Sequence, residues 1–254
     1  MPRKTLILIS SLFFAFLVCG QEDSTVYLKP IFTKGTLLNY KIRNSNVSEI
    51  NGEGSFSSNG YNTQLEVLKS AYGLSVVRMN YDAFGSDYEP GSESTLKVKD
   101  ELKAFFTIDS ITRFVAIENS KQLLDTLSKR ITNFQLDEES IASFFPEIEL
   151  LFFLNGAKYV KGEKYTTSTI LPVDGELLEC DLEFEMTLFS RQENVFRIEC
   201  TATPKTVSDQ IKDFKYFLIY SFRLSDLFPK SITLQTSYHK GQNKYSSKTE
   251  ITLN

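Results

Sequence analysis

Alternation of apolar and polar residues, interrupted by turn residues, dominates this chain. The clearest case is residues 180–201. Cys180, Leu182, Phe184, Met186 and Leu188 alternate with Asp181, Glu183, Glu185 and Thr187, and after residues 191–194 Phe196, Ile198 and Cys200 alternate with Arg197, Glu199 and Thr201. A period of two sends one set to a core and the other to solvent, which predicts an antiparallel hairpin. A turn centred near residue 192 sets Phe184 opposite Cys200.

The same reading extends to both sides. Residues 25–32 and 35–43 are extended runs; Leu37, Tyr40 and Ile42 break strict alternation, so both faces of the second are expected to be partly buried. Asn51-Gly52 and Asn59-Gly60 are two-residue turn signals that separate strands over 54–57, 64–69 and 74–82. Residues 87–94, rich in Pro, Gly, Ser and acid, predict an exposed loop. Residues 96–108 and 112–117 predict a hairpin closed by Asp109-Ser110.

Then the period changes. Asn119 or Ser120 can cap a helix whose apolar stripe is Leu123, Leu124, Leu127 and Ile131. Asp137 can cap a second, carrying Ile141, Phe144, Phe145, Ile148, Leu151 and Phe152. Pro146 either kinks that helix or starts a new one as its first residue, and Asn155-Gly156 ends it. Strands resume over 164–171. Residues 214–224 are apolar on both faces, as in a covered central strand, and 231–239 with 244–253 form a closing hairpin around 240–243. Lys34-Gly35 before a Tyr-bearing strand is faintly echoed by Lys161-Gly162 before Tyr165.

The expected fold class is mainly β (α+β): a strongly curved antiparallel sheet with two central helices. Residues 21–254 form one β-rich domain, with the option of two similar halves, 25–117 and 162–254, joined by helices over 118–155. Residues 1–20 read as a signal peptide: Arg3 and Lys4, then an apolar run over 6–18 too short to span a bilayer, then Val18-Cys19-Gly20. Cys19 as a lipidated first residue is the competing reading, opposed by Val18 and Phe16 just before it. Export, to a periplasmic or extracellular location, is expected under either reading, and the mature chain is expected to carry no transmembrane span.

Composition changes this picture by exclusion. The formal net charge is −4, and removing residues 1–20 takes two bases and no acid. Without a Lys/Arg cluster, nucleic acid is not an expected partner. His239, the one histidine, is placed on an edge strand near a turn, and no Gly-x-Ser-x-Gly elbow is present. Neither two-histidine zinc nor a phosphate loop has its residues, so the expectation is no catalytic residue, no metal and no cofactor. Asp181, Glu183 and Glu185 could bind calcium or work as a carboxylate pair, and a solvated face matched by Arg197 explains them more simply. Cys180 and Cys200 fall on the apolar face; the hairpin register places Cys180 four residues beyond Phe184, roughly 13 Å away, which disfavours a disulfide. Asn46-Val47-Ser48 is a glycosylation sequon.

Aromatic content is what remains: 21 Phe and 12 Tyr with no Trp. Phe144, Phe145, Phe152 and Phe153 crowd the second helix, and Tyr216 and Tyr220 mark the covered strand. Ordinary core filling accounts for such residues; an apolar pocket between helices and sheet is the functional alternative.

Twisted strands, a hairpin through Asp109-Ser110-Ile111-Thr112-Arg113-Phe114 into Ile117-Glu118-Asn119, helices, and a second antiparallel set resemble uncharacterised exported proteins of Gram-negative bacteria. The order is also similar, distantly, to the lipoprotein-carrier (LolA/LppX-like) architecture. That resemblance implies envelope binding of an apolar small molecule, a lipid, or a lipidated or peptide partner. The competing expectation is a structural or interaction module that recruits an envelope protein through an exposed sheet edge, such as 244–253. A hydrolase using Asp181 and Glu183 ranks third.

Overall fold

The structure is a computed structural model and describes residues 24–87, 101–109, 113–130, 137–138, 140–154, 156–206, 208 and 210–254. The N-terminal run, Cys19, the 88–100 loop and Ile131 lie outside the described residues. No helix among the described residues is long and apolar enough to cross a membrane.

Eleven strands form one antiparallel sheet. In chain order the strands are β1 (Thr25–Tyr27), β2 (Leu37–Ile50), β3 (Glu53–Ala71), β4 (Leu74–Asp87), β5 (Lys103–Asp109), β6 (Arg113–Ile117), β7 (Lys158–Val160), β8 (Lys164–Val173), β9 (Glu176–Ser190), β10 (Val195–Pro204), β11 (Ile211–Arg223), β12 (Pro229–Lys240) and β13 (Asn243–Leu253). Across the sheet they run β6-β5-β4-β3-β2-β13-β12-β11-β10-β9-β8, while β1 and β7 pair separately. Two meanders therefore meet where β13 pairs β2, with Ile251 opposite Ile42. The connection from β6 to β7 carries helix α1 (Ser120–Arg130), a 3-10 turn (Ile141–Phe144) and helix α2 (Pro146–Phe152).

The local reasons are plain. Asn51 and Gly52 adopt φ of 52° and 83°, the left-handed pair a two-residue hairpin requires. Asp174 and Gly175 do the same at 48° and 85°. Asn59-Gly60 departs from expectation: it is no turn, but lies inside β3, where the pairing with β4 slips by one residue. Gly60 meets the bulge there, and pairing to β2 on the other side holds the strand straight through. The segments 54–57 and 64–69 are accordingly one strand of 19 residues. Pro146 occupies the first turn of α2, so it starts a helix rather than kinking one. The Asp137 side chain accepts the Ser140 N–H at 2.8 Å just ahead of the 3-10 turn, whose N-cap position is held by Ser140 rather than Asp137. Asn119 instead docks onto β5, accepting from Phe105 N–H and donating to the Lys103 carbonyl.

One face of the sheet carries the main core. Tyr40, Ile42, Leu65, Met79, Phe106, Phe196, Leu218, Tyr220 and Ile251 are buried with Leu123 and Leu127 of α1 and Ile148, Leu151 and Phe152 of α2. The first strand of each meander starts from a similar Lys-Gly corner. Gly35 donates its N–H to Val67 O and Thr36 to Thr33 O; Gly162 donates to Met186 O and Glu163 to Val160 O. Both glycines sit at positive φ, 85° and 79°.

Two placements correct the sequence reading. Residues 244–253 are not an edge: β13 lies in the middle of the sheet, between β2 and β12. β12, which carries His239, is likewise not an edge strand, although the His239 side chain faces solvent with its Nδ1 2.9 Å from Asp213 Oδ2. The reason is long-range: the two chain halves close on each other, and no local signal encodes that pairing.

Candidate functional site

The aromatic residues singled out by sequence divide into two groups. Phe145 packs on Tyr81 and Phe106, with ring centres 5.6 and 5.7 Å away, and Phe152 packs on Phe32 at 5.7 Å. Tyr220 donates its hydroxyl to the Leu150 carbonyl at 2.8 Å. These three side chains are buried and occupy the space between α2 and the sheet. Phe144, Phe153 and Tyr216 are half-buried at its margins. Burial raises the phenols of Tyr216 and Tyr220 above their ordinary range, so both stay neutral at any physiological pH and serve as apolar bodies with a donor tip.

Phe153 faces outward enough to matter. Its ring lies 6.0 Å from Phe184 of β9, and Tyr159 meets Tyr165 of β8 edge-on at 5.5 Å. With Leu154 and Thr167 they line a cleft of about 200 Å³ between the end of α2 and β8. Tyr165 is held in place through its hydroxyl, which accepts the Val160 N–H and donates to Glu163, both at 3.0 Å. Of two larger openings, one of about 380 Å³ lies beside Phe189, Arg191 and the three-residue strand β1, and one of about 430 Å³ lies beside Ile211 and Phe214; neither touches β8.

The cleft opens beside a sheet edge. β8 pairs with β9 in unbroken register and with no other strand among the described residues. It is ten residues long, and between Lys164 and Asp174 no residue is charged. Sheet edges are commonly blunted by inward charges, bulges or shortness. β8 carries such guards only at its two ends, Lys164 at the start and Pro172 near the finish.

The remaining candidates are buried or paired. Cys180 and Cys200 are free, buried thiols. Cys200 lies opposite Phe184 and Cys180 opposite Pro204, as expected, but only because a bulge between Arg197 and Ile198 shifts the pairing by one residue; nearer the turn Phe189 meets Phe196 in the core, and Leu188, expected there, faces Arg197. Burial pushes Cys200 up to about 12 and raises Cys180, the opposite of what a nucleophilic thiolate needs. Asp181 accepts Ser168 Oγ at 2.7 Å and lies 3.3 Å from Lys205; that hydrogen bond first, then Lys205, holds its carboxyl below the usual range. Glu183 pairs with Lys164 at 2.7 Å. Arg197 pairs instead with Leu188 and Ser221 across the strands, so lysines, not Arg197, balance this carboxylate row. A buried carboxylate that sequence reasoning missed is Glu147, in the first turn of α2, which accepts the Tyr81 hydroxyl at 2.7 Å. Nothing local marks it, since an acid after proline is ordinary at an exposed helix start. No family model matches this chain, and no curated protein matches its sequence.

Proposed function

We propose that the protein is an exported, non-catalytic binding module of the cell envelope that takes an extended partner segment along the free edge of β8. One apolar or lipidated group of that segment sits in the cleft beside Phe153. The carrying observation is an edge whose stretch between Lys164 and Pro172 is uncharged and unbulged and which runs into an aromatic cleft. Strand addition combines these two features: backbone hydrogen bonds supply affinity, and pockets for alternate side chains supply specificity.

The other meander supports the reading. Matching the Lys-Gly corners places Leu37 with Lys164, and these face Glu66 and Glu185 one step from Val67 and Met186. The edge of β2 that corresponds to the open edge of β8 is filled by β13, antiparallel. We read the two meanders as related halves, one of which keeps its acceptor edge vacant for a partner.

Panning a library of displayed twelve-residue peptides against the purified protein tests the proposal. Recovered peptides should be β-formers with an apolar residue, should slow amide exchange in β8, and should lose affinity about tenfold or more with Thr167→Lys. Thr167 is exposed and points to the cleft side, so the new charge guards the edge without disturbing the core. Recovery of no peptide, or equal binding to Thr167→Lys without protection of β8, would sink it.

A further inference from the structure

Beyond the rows covered by α1 and α2, the core-facing side of β12, β13, β2 and β3 continues outward for three more rows. Leu234, Thr249, Asn44 and Asn59 form the first row by register; Thr236, Ser247, Asn46 and Ser57 form the second; Tyr238, Tyr245, Ser48 and Ser55 form the third. All twelve are uncharged. The reverse side of the same strands carries Arg43, Glu49, Lys244, Lys248 and Glu250. A face that merely met water would be expected to share those charges.

The polar groups are ordered against one another. Thr249 donates to Asn44 Oδ1 at 2.9 Å, and Asn44 donates onward to Asn59 Oδ1 at 3.2 Å. Thr236 and Ser247 share a hydrogen bond of 2.6 Å, as do Ser48 and Ser55 at 2.7 Å. Each hydroxyl keeps lone-pair capacity after one such bond, and each amide keeps both donor and acceptor character. Asn46 is exposed in the middle row, with no side-chain hydrogen bond among the described residues. On one flank the rings of Tyr238 and Tyr245 stack, 5.2 Å apart and 18° from parallel. The next residue across from Tyr245 is Ser48, which is too small to cover the far side of the ring.

We infer that this face binds a neutral glycan. A fixed lattice of uncharged groups that both donate and accept, walled by an aromatic ring, complements a polyhydroxylated chain with apolar C–H faces. Within these three rows a charged polymer would find no counter-charge, the nearest being Lys240 beyond Tyr238, already paired with Asp174, and Glu53 beyond Ser55, and an apolar ligand would strand the amides without partners. The site is separate from the β8 edge, and its test is independent of that proposal.

Affinity electrophoresis of bacterially produced protein, in native gels containing mannan, dextran, laminarin or xyloglucan and in parallel gels containing heparin or alginate, decides the matter. At least one neutral polysaccharide should retard the protein, and the charged ones should not. Asn46→Lys and Tyr245→Ala should each weaken that retardation about tenfold. Val47→Lys, one position along β2 on the reverse face, should leave it unchanged, and circular dichroism of all three variants reports that the sheet is intact. Absence of retardation by every neutral polysaccharide, retardation by the charged ones as well, or folded Asn46→Lys and Tyr245→Ala proteins that bind as well as the parent would each overturn the assignment.

Discussion

Tyr81 of β4 donates its hydroxyl to Oε1 of Glu147, 2.7 Å away, with Tyr81 2% exposed and Glu147 5% exposed. The bond ties α2 to the sheet from inside. A buried charged acceptor that loses a donor costs more than an average hydrogen bond contributes. Tyr81→Phe should therefore destabilise the protein by about 1–3 kcal/mol, read as a lower urea midpoint with an unchanged slope.

Thr63 sits opposite Tyr81 on β3 and makes the contrasting case. It is 2% exposed, and its hydroxyl has no partner among the described residues. Burying such a group costs about 1–3 kcal/mol by mutational measure. Thr63→Val keeps the β-branched shape and removes the cost, so the urea midpoint should rise. A fall would mean that the hydroxyl has a partner outside the described residues.

Four tyrosines set the alkaline limit. Burial raises the phenols of Tyr40, Tyr81, Tyr216 and Tyr220, with Glu147 adding to the shift at Tyr81. In the unfolded chain they ionise near their ordinary value of about 10. Above that pH the unfolded state has released protons that the folded state still holds, so stability falls as pH rises. Below it both states are protonated and these groups add no slope. Cys180 and Cys200, also raised by burial, ionise in the unfolded chain from about 8.5, so urea midpoints measured at intervals from pH 8 to 11 should begin to fall there and fall more steeply from near 10, where the tyrosines follow.

The two thiols report on folding rather than on chemistry. Cys180 and Cys200 are buried, unbridged and shifted upward, so iodoacetamide at neutral pH should modify neither in the folded protein. Both should react together on unfolding. Peptide mass spectrometry over a urea series checks this, and early labelling of Cys180 alone would show that β8 and β9 open before the rest.

Local pattern reached a good part of this architecture. The alternation placed Phe184 opposite Cys200, although the bulge at Arg197 that puts Phe189 rather than Leu188 in the core left no local sign, and the stripe at Leu123 and Leu127 is the buried side of α1. Asn59-Gly60 misled because glycine after asparagine looks the same locally whether it closes a hairpin or absorbs a bulge. Only partners on both sides decide between the two. The cleft beside Phe153 was half legible: the phenylalanine stood out, and the Asp174-Gly175 hairpin sets Tyr165 opposite Phe184, but no spacing rule brings that pair to Phe153 at the end of α2 or to Tyr159 of β7. Edges were the least legible. A strand's own sequence does not say how many neighbours it has, so β13 read as an edge although it is central, and the bare edge of β8 went unseen.

That central position carries the last prediction. β13 pairs along nearly its whole length with both β12 and β2, and Ile251, Ile42 and Ile232 form one buried row across the three strands. An edge strand can be trimmed with local damage, because one neighbour keeps its partner. Removing residues 243–254 would instead leave β2 and β12 both unpaired along a shared seam and split the single core beneath. The truncated chain should lose the cooperative unfolding transition, with rapid proteolysis in both meanders. Ile251→Ala, which keeps the backbone pairing, should retain that transition and lower stability by about 2–5 kcal/mol. If the truncated chain unfolded as cooperatively as the parent, the two meanders would be independent units, and the pairing of Ile42 with Ile251 would not be what joins them.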